Sequence, residues 1–416
     1  MRVLLVENAI GFGGSTVCAR RILEACRQAG IEPFLLIAYD GRGLEAALPP
    51  EAVWRLDGYR LFRWGRFLRR WFARRNLPFA NAVQPAVFEV VWRLLEWPCA
   101  VQVARRIRKN RIDLVHANND LLNNRIAIVA GHLAGALVIS HQRGWQWPGR
   151  FARRLSRWVS RFVAISNAVA EDLAKTVPNA ARISKIYDGV DCDAIAQPVS
   201  RTSPPDRFGM PPQYNVIGMP AMLVPWKGQD LFLRAFARVA AKRNDVYALI
   251  VGDPPDDDNT YRESLEQLAR RLGLADRVVF ASFCEDLTPA LACMDVVVHA
   301  SLEPEPLGLV VLEAMAAGKA VVAADAGGIR ETVLPGRTGL RYPPGDERAL
   351  ADGLEQLIEN PSWRAALGHC GADHVRKTFN VRITRERIVD LYRLAWADDR
   401  TTWDRDVACP SKPCFS

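Results

Sequence analysis

Short apolar runs alternate with longer amphipathic stretches along this chain, and the alternation stops once and starts again. Residues 3–6 and 34–38 read as parallel strands on either side of a helix from about Ser15 to Gln28. Further strands are expected at 112–116, at 136–141 and from Phe162, followed by a helix over 168–175 capped by Ser166 or Asn167. Residues 185–191 close this series, and 197–213, rich in Pro, Ser and Arg with Pro211-Pro212 near the end, have the composition of a linker. The pattern then restarts, with strands at 215–219, 247–251, 278–280, 296–299 and 320–323 and helices at 229–242 and 261–272. Strands that alternate with helices build parallel sheets. The expected fold class is therefore α/β with two Rossmann-like domains. The first covers 1–197, a linker 198–213, the second 214–380, and a last helix at 381–397 folds back on the first domain, before a disordered tail at 398–416.

At 416 residues there is room for two or three domains with cores of their own. With 49% hydrophobic residues, 24% charged and no apolar run of roughly 18 residues, the chain has the composition of a globular protein, not of one built on membrane-spanning helices. Met1-Arg-Val-Leu-Leu-Val-Glu7 is too short and too soon acidic for a signal peptide and reads as a buried first strand. Nine cysteines lie scattered without metal-ligand spacing, Cys409 and Cys414 being a close pair near the end. Reduced thiols in a cytoplasmic protein are the expectation.

A formal charge of +9 indicates an anionic partner: a phosphate, a membrane surface or a nucleic acid. Residues 59–75 place Leu61, Trp64, Leu68 and Trp71 on one helical face and Arg63, Arg66, Arg70 and Arg74 on another. Such a helix suits an anionic membrane surface, and equally a protein core with a solvated basic face. A second basic-aromatic stretch at 145–161 favours the membrane, placing the protein peripherally on the inner face of the plasma membrane. No nucleic-acid motif accompanies the basic runs, so nucleic acid is not expected.

The stretch Ser301-Leu-Glu-Pro-Glu-Pro-Leu-Gly-Leu-Val-Val-Leu-Glu313 carries the most chemistry. Pro306 and Gly308 disfavour a helix while Leu309 onward is apolar and helix-competent, so a loop feeds a helix near Gly308. Glu305 and the first-turn amides would face a ligand, an arrangement suited to phosphate; a buried helix after a proline turn reads the same residues equally well. Gly11-Phe-Gly-Gly-Ser15 sits between the first strand and helix, where glycines let backbone approach a ligand. As a dinucleotide fingerprint it is weak, since Thr16 stands where glycine is wanted, although Asp40 occupies the place of a ribose-binding acid. His116 and His141 are each expected at the C-terminal end of a strand, where open α/β sheets bind ligands, with His141 in the more exposed context. The Asp-x-Asp spacings at Asp256–Asp258 and Asp191–Asp193 read as solvated loop carboxylates, and no metal site is expected.

With these pieces in order, the chain resembles the family-4 glycosyltransferases, retaining enzymes of the GT-B fold. The resemblance rests on Gly11–Gly14, His141, Ile165-Ser-Asn167, Asp188-Gly-Val-Asp191, Pro225-Trp-Lys-Gly228, Val251-Gly-Asp253 and the E-x7-E element from Glu305 to Glu313. It implies two Rossmann-like domains facing across a cleft, and a nucleotide-diphosphate sugar as substrate with no cofactor. Lys227 would neutralise the departing diphosphate and Glu305 would hold donor-sugar hydroxyls. The amides of Leu307, Gly308, Leu309 and Val310 would meet the phosphates, and Glu313 the ribose. His141 would lie near sugar and acceptor, while Gly13 and Gly14 would let the first loop approach the diphosphate. One departure matters: relatives read Gly-Arg-Leu where this chain has Ala221-Met222-Leu223, so a second cation, Arg143 or Arg330, would have to serve.

The implied reaction moves a hexose to a saccharide or lipid-linked acceptor in polysaccharide or envelope glycan assembly. The rival readings are a nucleotide-sugar epimerase of the same fold, a non-catalytic sugar-nucleotide or membrane-binding module, and a dehydrogenase.

Overall fold

A computed structural model describes residues 1–8, 14–38, 43–56, 96–146, 149–196, 208–210, 213–255 and 258–407, with side chains to residue 398. The basic segment 59–75, Gly13, Asp40, Asp256, Cys409, Cys414 and most of the expected linker lie outside the described residues. The chain forms two compact units. One comprises Met1–Ile165, Val169–Ile186 and the chain from Arg385; the other comprises Ser166–Ala168 and Tyr187–Thr384.

The first unit is built on a seven-stranded sheet. Its strands are β1 (Arg2–Glu7), β2 (Glu32–Ile37), β3 (Val53–Arg55), β4 (Leu114–Asn119), β5 (Leu137–Gln142), β6 (Arg161–Ala164) and β7 (Ile183–Lys185), ordered β3-β2-β1-β4-β5-β6-β7. Every pairing is parallel. The order reverses between β1 and β4, a switch point of the kind at whose C-terminal strand ends open α/β sheets bind ligands. β4 runs three residues past His116, which is paired with Ile139 in mid-strand and not at a strand end. The extension ends in two asparagines, Asn118 and Asn119, which are held by other side chains, so hydropathy did not reveal it. The helix Val381–Val407 returns to this unit, where Ile388, Val389, Leu391, Tyr392 and Ala395 join the core around β1, β2 and β4. It continues beyond residue 397, where a disordered tail was expected.

The stretch 145–161 proves to be the edge of this core. In the helix Arg150–Ser156, Ala152 and Leu155 are buried while Arg150, Arg153 and Arg154 face solvent. Trp158 stacks on His132 at 5.0 Å between centroids. The helix Arg150–Ser156 is thus a core-facing helix with a solvated basic face, whereas Trp145 is exposed and Trp147 lies outside the described residues.

The second unit carries β8 (Asn215–Pro220), β9 (Val246–Val251), β10 (Val278–Ala281), β11 (Val296–His299), β12 (Ala320–Ala324) and β13 (Leu340–Tyr342), all parallel in the order β10-β9-β8-β11-β12-β13. Helices cover the sheet, with Phe232 and Phe236 of the helix Gln229–Lys242 fully buried against it. Here too the order reverses, between β8 and β11. The first unit gives way to the second at Tyr187, earlier than the expected boundary at 197. Val190 bridges to Asn380, and a Cβ on Gly189 would lie 2.6 Å from the Asn380 carbonyl carbon, which ties 187–191 to the end of the second unit. Asp191 then caps the short helix Cys192–Ile195 and Asp193 pairs with Arg382, which accounts for that Asp-x-Asp spacing without a metal. The seven described cysteines are all free thiols.

Candidate active site

In the second unit the candidate residues gather where β8 and β11 end. The turn Pro225–Lys227 follows β8 and closes on Gly228, whose φ is 76° and whose added Cβ would meet the Ala300 carbonyl oxygen at 2.2 Å. Only glycine allows that approach. The backbone amide of Leu302 donates to the Trp226 carbonyl at 2.8 Å, so the lysine turn and the segment leaving β11 are fastened together.

That fastening places Lys227 against Glu305. Lys227 Nζ donates to Glu305 Oε1 at 2.5 Å and lies 4.4 Å from the Trp226 ring centroid. Ser301 Oγ donates to the same oxygen at 2.5 Å, and His299 Nε2 lies 2.9 Å from it. All these contacts fall on Oε1; among the described residues Oε2 has no partner. Burial alone would raise the Glu305 carboxyl, but His299 and Lys227 outweigh it and hold the group well below the usual carboxylate range. Glu305 is therefore a fixed anion with one oxygen committed and one available.

After Glu305 the chain turns through buried Leu307 and Gly308 into the helix Leu309–Ala316. Gly308 has φ 82°, and a Cβ there would lie 2.4 Å from Ile329 Cδ1. The first amides bonded back to Gly308 are those of Val311 and Leu312, so the amides of Leu309 and Val310 precede the intrahelical ladder and carry the positive end of the dipole. Glu313 is half-buried in the second turn.

A neighbouring loop, not singled out from sequence, clasps this turn. Glu305 bridges to Gly327 and accepts from the Gly328 amide at 2.8 Å, and added Cβ atoms would meet Glu305 O and Pro306 O at 2.2 Å each. The Gly-Gly pair after the apolar strand β12 was the available signal. His299 and Ser301 were also missed, being single polar residues at the end of an apolar strand.

The two cations suggested as substitutes for the absent arginine differ in setting. Arg330 is exposed and paired with Asp325, which also takes Arg341. Arg143, in the first unit, donates to Asn118. Met222 itself is 45% exposed, and its carbonyl accepts from Gln229 Nε2.

In the first unit His141 is fully buried, like His116, and not more exposed as expected. His141 Nδ1 lies 3.2 Å from His116 Nε2, and His116 Nδ1 lies 2.7 Å from Tyr392 Oη. Burial, helped by Arg143, lowers both imidazoles, His116 to about 3. Gly14 is exposed at the start of the helix Gly14–Gln28. Around the ends of β1 and β4 a buried polar network holds that helix start. Asn118 Nδ2 donates to Glu7 and to the Ser15 carbonyl, and Asn119 Nδ2 donates to Glu7 and Asn8.

Thus Lys227 and Glu305 are in direct contact, the predicted turn at 307–310 leads into its helix, and Glu313 follows on the same helix. His141 and Gly14 belong to the other unit.

Comparison with known proteins identifies the family and the fold. Residues 12–194 match the family described as Glycosyltransferase Family 4, and residues 201–373 match Glycosyl transferases group 1. A GDP-mannose-dependent alpha-(1-6)-phosphatidylinositol monomannoside mannosyltransferase of Mycolicibacterium smegmatis is 32% identical over 263 residues, 60% of this chain and 67% of that protein. The GDP-mannose-dependent monoacylated alpha-(1-6)-phosphatidylinositol monomannoside mannosyltransferase of Corynebacterium glutamicum is 28% identical over 72% of this chain and 84% of its own. The crystal structure of Anabaena HepE in complex with UDP superposes with a TM-score of 0.75 at 25% identity, covering 94% of this chain and 100% of that one. With two parallel-sheet units, a lysine turn and a glutamate turn meeting at a switch point, and these relatives, the chain belongs to the family-4 glycosyltransferases of the GT-B fold.

Proposed function

We propose that this glycosyltransferase moves a hexose-type sugar from a nucleotide-diphosphate donor to a lipid-linked or saccharide acceptor, with retention of configuration and without a metal ion. The observation that carries the reading is the single anchored oxygen of Glu305. Lys227, Ser301 and His299 hold Oε1, so Oε2 can accept from sugar hydroxyls without reorganising. Lys227 beside it supplies positive charge, and the Leu309 and Val310 amides supply more, for the diphosphate that leaves. In the reaction the bond from the anomeric carbon to the diphosphate oxygen breaks as the acceptor oxygen bonds to the same face of that carbon. The acceptor's proton passes to the departing phosphate oxygen, so no separate base is required.

The mannosyltransferase relatives, named for phosphatidylinositol mannoside acceptors, support a glycolipid acceptor at a membrane surface. No helix among the described residues is long and apolar enough to cross a membrane. Thermal-shift titration with GDP-, UDP- and ADP-sugars identifies the donor, and the anomeric configuration of the product, read by NMR with EDTA present, tests retention and metal independence. Inverted product, or activity abolished by EDTA and restored by a divalent cation, would overturn the corresponding part. Conversion of the donor to a different sugar nucleotide without acceptor would instead identify an epimerase.

A further inference from the structure

Lys227 is held from two sides, and one of them is an aromatic ring. Its Nζ donates to Glu305 Oε1 at 2.5 Å and lies 4.4 Å from the Trp226 ring centroid, within cation–π range. Neighbouring residues of a helical turn do not face each other, so the lysine stem folds back over the indole that precedes it. Both supports rest on one frame. The Trp226 carbonyl accepts from the Leu302 amide at 2.8 Å, and Glu305 lies on the same segment as Leu302.

Packing does not account for this tryptophan. Trp226 is 38% exposed and belongs neither to the hydrophobic core of its unit nor to the partly buried residues around that core. Among the described residues its ring meets no aromatic or cationic group besides Lys227 Nζ. Large exposed indoles with one charged neighbour suit a role outside the core.

The ammonium has three N–H groups to place. One is given to Glu305 Oε1, and the indole face occupies a second direction. Among the described residues Nζ has no further hydrogen-bond partner, so the third N–H is left for a ligand oxygen. Without the ring, the ammonium could swing about Oε1 on its flexible stem, and that freedom would be lost each time it met the ligand.

We infer that Trp226 is a positioning residue for Lys227, whose ammonium it holds against Glu305 so that the remaining N–H is aimed at the donor diphosphate. The role assigned to that N–H rests on the proposed transfer; the placement of the ammonium on the indole does not.

The placement is read in the full-length protein by 13C-lysine spectra. The Lys227 ε-methylene, identified by its absence in Lys227→Arg, should be shifted upfield by the indole ring current and return to the ordinary lysine position in Trp226→Leu. The role is read by donor kcat/KM. Trp226→Leu should lower it about tenfold, and Trp226→Phe, which keeps a weaker π face, about threefold. In a Lys227→Met background Trp226→Leu should have no further effect, because the indole acts only through the ammonium. An unshifted Lys227 ε-methylene in the native protein, or undiminished kcat/KM in Trp226→Leu, would overturn the inference. So would a tenfold loss that persists in the Lys227→Met background, which would assign the indole to stacking on the ligand itself. The spectra answer whether or not sugar transfer is the reaction, so the two readings fail separately.

Discussion

Lys227 Nζ and Glu305 Oε1 stand 2.5 Å apart with side chains only 19% and 11% exposed, a largely desolvated ion pair between two turns of the same unit. The partners are not equivalent. Lysine has a flexible stem that can carry its ammonium to water once the pair is broken, whereas Glu305 is fixed by Ser301 and its own turn. Lys227→Met strands a buried anion and should destabilise by about 3 kcal/mol, toward the low end for a broken buried pair because Ser301 and His299 remain. Glu305→Gln should cost clearly less. Both should lower kcat/KM by about 100-fold or more, since each removes an interaction aimed at the reacting donor. Urea unfolding with donor turnover measures both effects; equal stability losses would contradict the asymmetry.

Glycines hold the glutamate turn in two ways that separate by rescue. At Gly308 the φ of 82° strains any other residue, and the clash is with the tip of Ile329. Gly308→Ala should cost about 2–3 kcal/mol, and adding Ile329→Val, which deletes Cδ1, should recover part of it. Gly328→Ala meets the Pro306 carbonyl oxygen at 2.2 Å, which no side-chain deletion can relieve. Melting temperatures of Gly308→Ala, Gly328→Ala, Ile329→Val and the two double variants decide whether Ile329→Val repairs the first and leaves the second unchanged.

How far the sequence could carry this depended on the kind of residue. The β8–β11 arrangement was legible because apolar strands such as 215–219 and 296–299 announce themselves, and Lys227 and Glu305 stand in glycine- and proline-marked turns. Asn118 and Asn119 fell outside the expected strand 112–116 because polar residues in a strand carry no hydropathy signal; only their bonds to Glu7 show why they are inside. The three-residue edge strands β3, β7 and β13 are too short for any periodicity. His116 looked like a strand end for the same reason, and its bond to Tyr392 joins residues far apart in sequence through tertiary packing alone.

The buried histidines make the first unit acid-sensitive in a stated direction. His116 titrates near 3 when folded and near 6.5 when free, so below 6.5 the unfolded chain takes up a proton that the folded chain refuses. Its contribution to stability is whole above pH 6.5 and is lost as pH falls toward 3, at about 1.4 kcal/mol per pH unit. His116→Gln has no such proton. Its unfolding free energy should fall less steeply than that of the native protein between pH 6 and pH 4.5, by roughly one proton's slope. Glu305 does not obscure the comparison: its depressed carboxyl weakens the fold only as pH falls below its ordinary 4.5. Parallel slopes in the two proteins would show that His116 protonates without unfolding.

Met222 tests how the diphosphate charge is met. It is 45% exposed between β8 and the lysine turn, at the position where the resemblance to related enzymes calls for arginine. A charge-assisted contact contributes about 1.5–3 kcal/mol, or roughly 10- to 150-fold in affinity or rate. Met222→Arg places a guanidinium on an exposed site without disturbing a core contact, so stability should change by less than about 0.5 kcal/mol. Donor kcat/KM should rise at least tenfold if Lys227 and the Leu309 and Val310 amides are the whole of the protein's positive charge there. Arg330 is the competing source: although paired with Asp325, it lies beside the Gly327-Gly328 loop that clasps Glu305. Should Arg330 already serve the diphosphate, Met222→Arg would change little and Arg330→Gln would cost more than tenfold. Measuring both variants assigns the second cation, because an effect from Met222→Arg with none from Arg330→Gln is the outcome the exposed, Asp325-bound geometry of Arg330 leads us to expect.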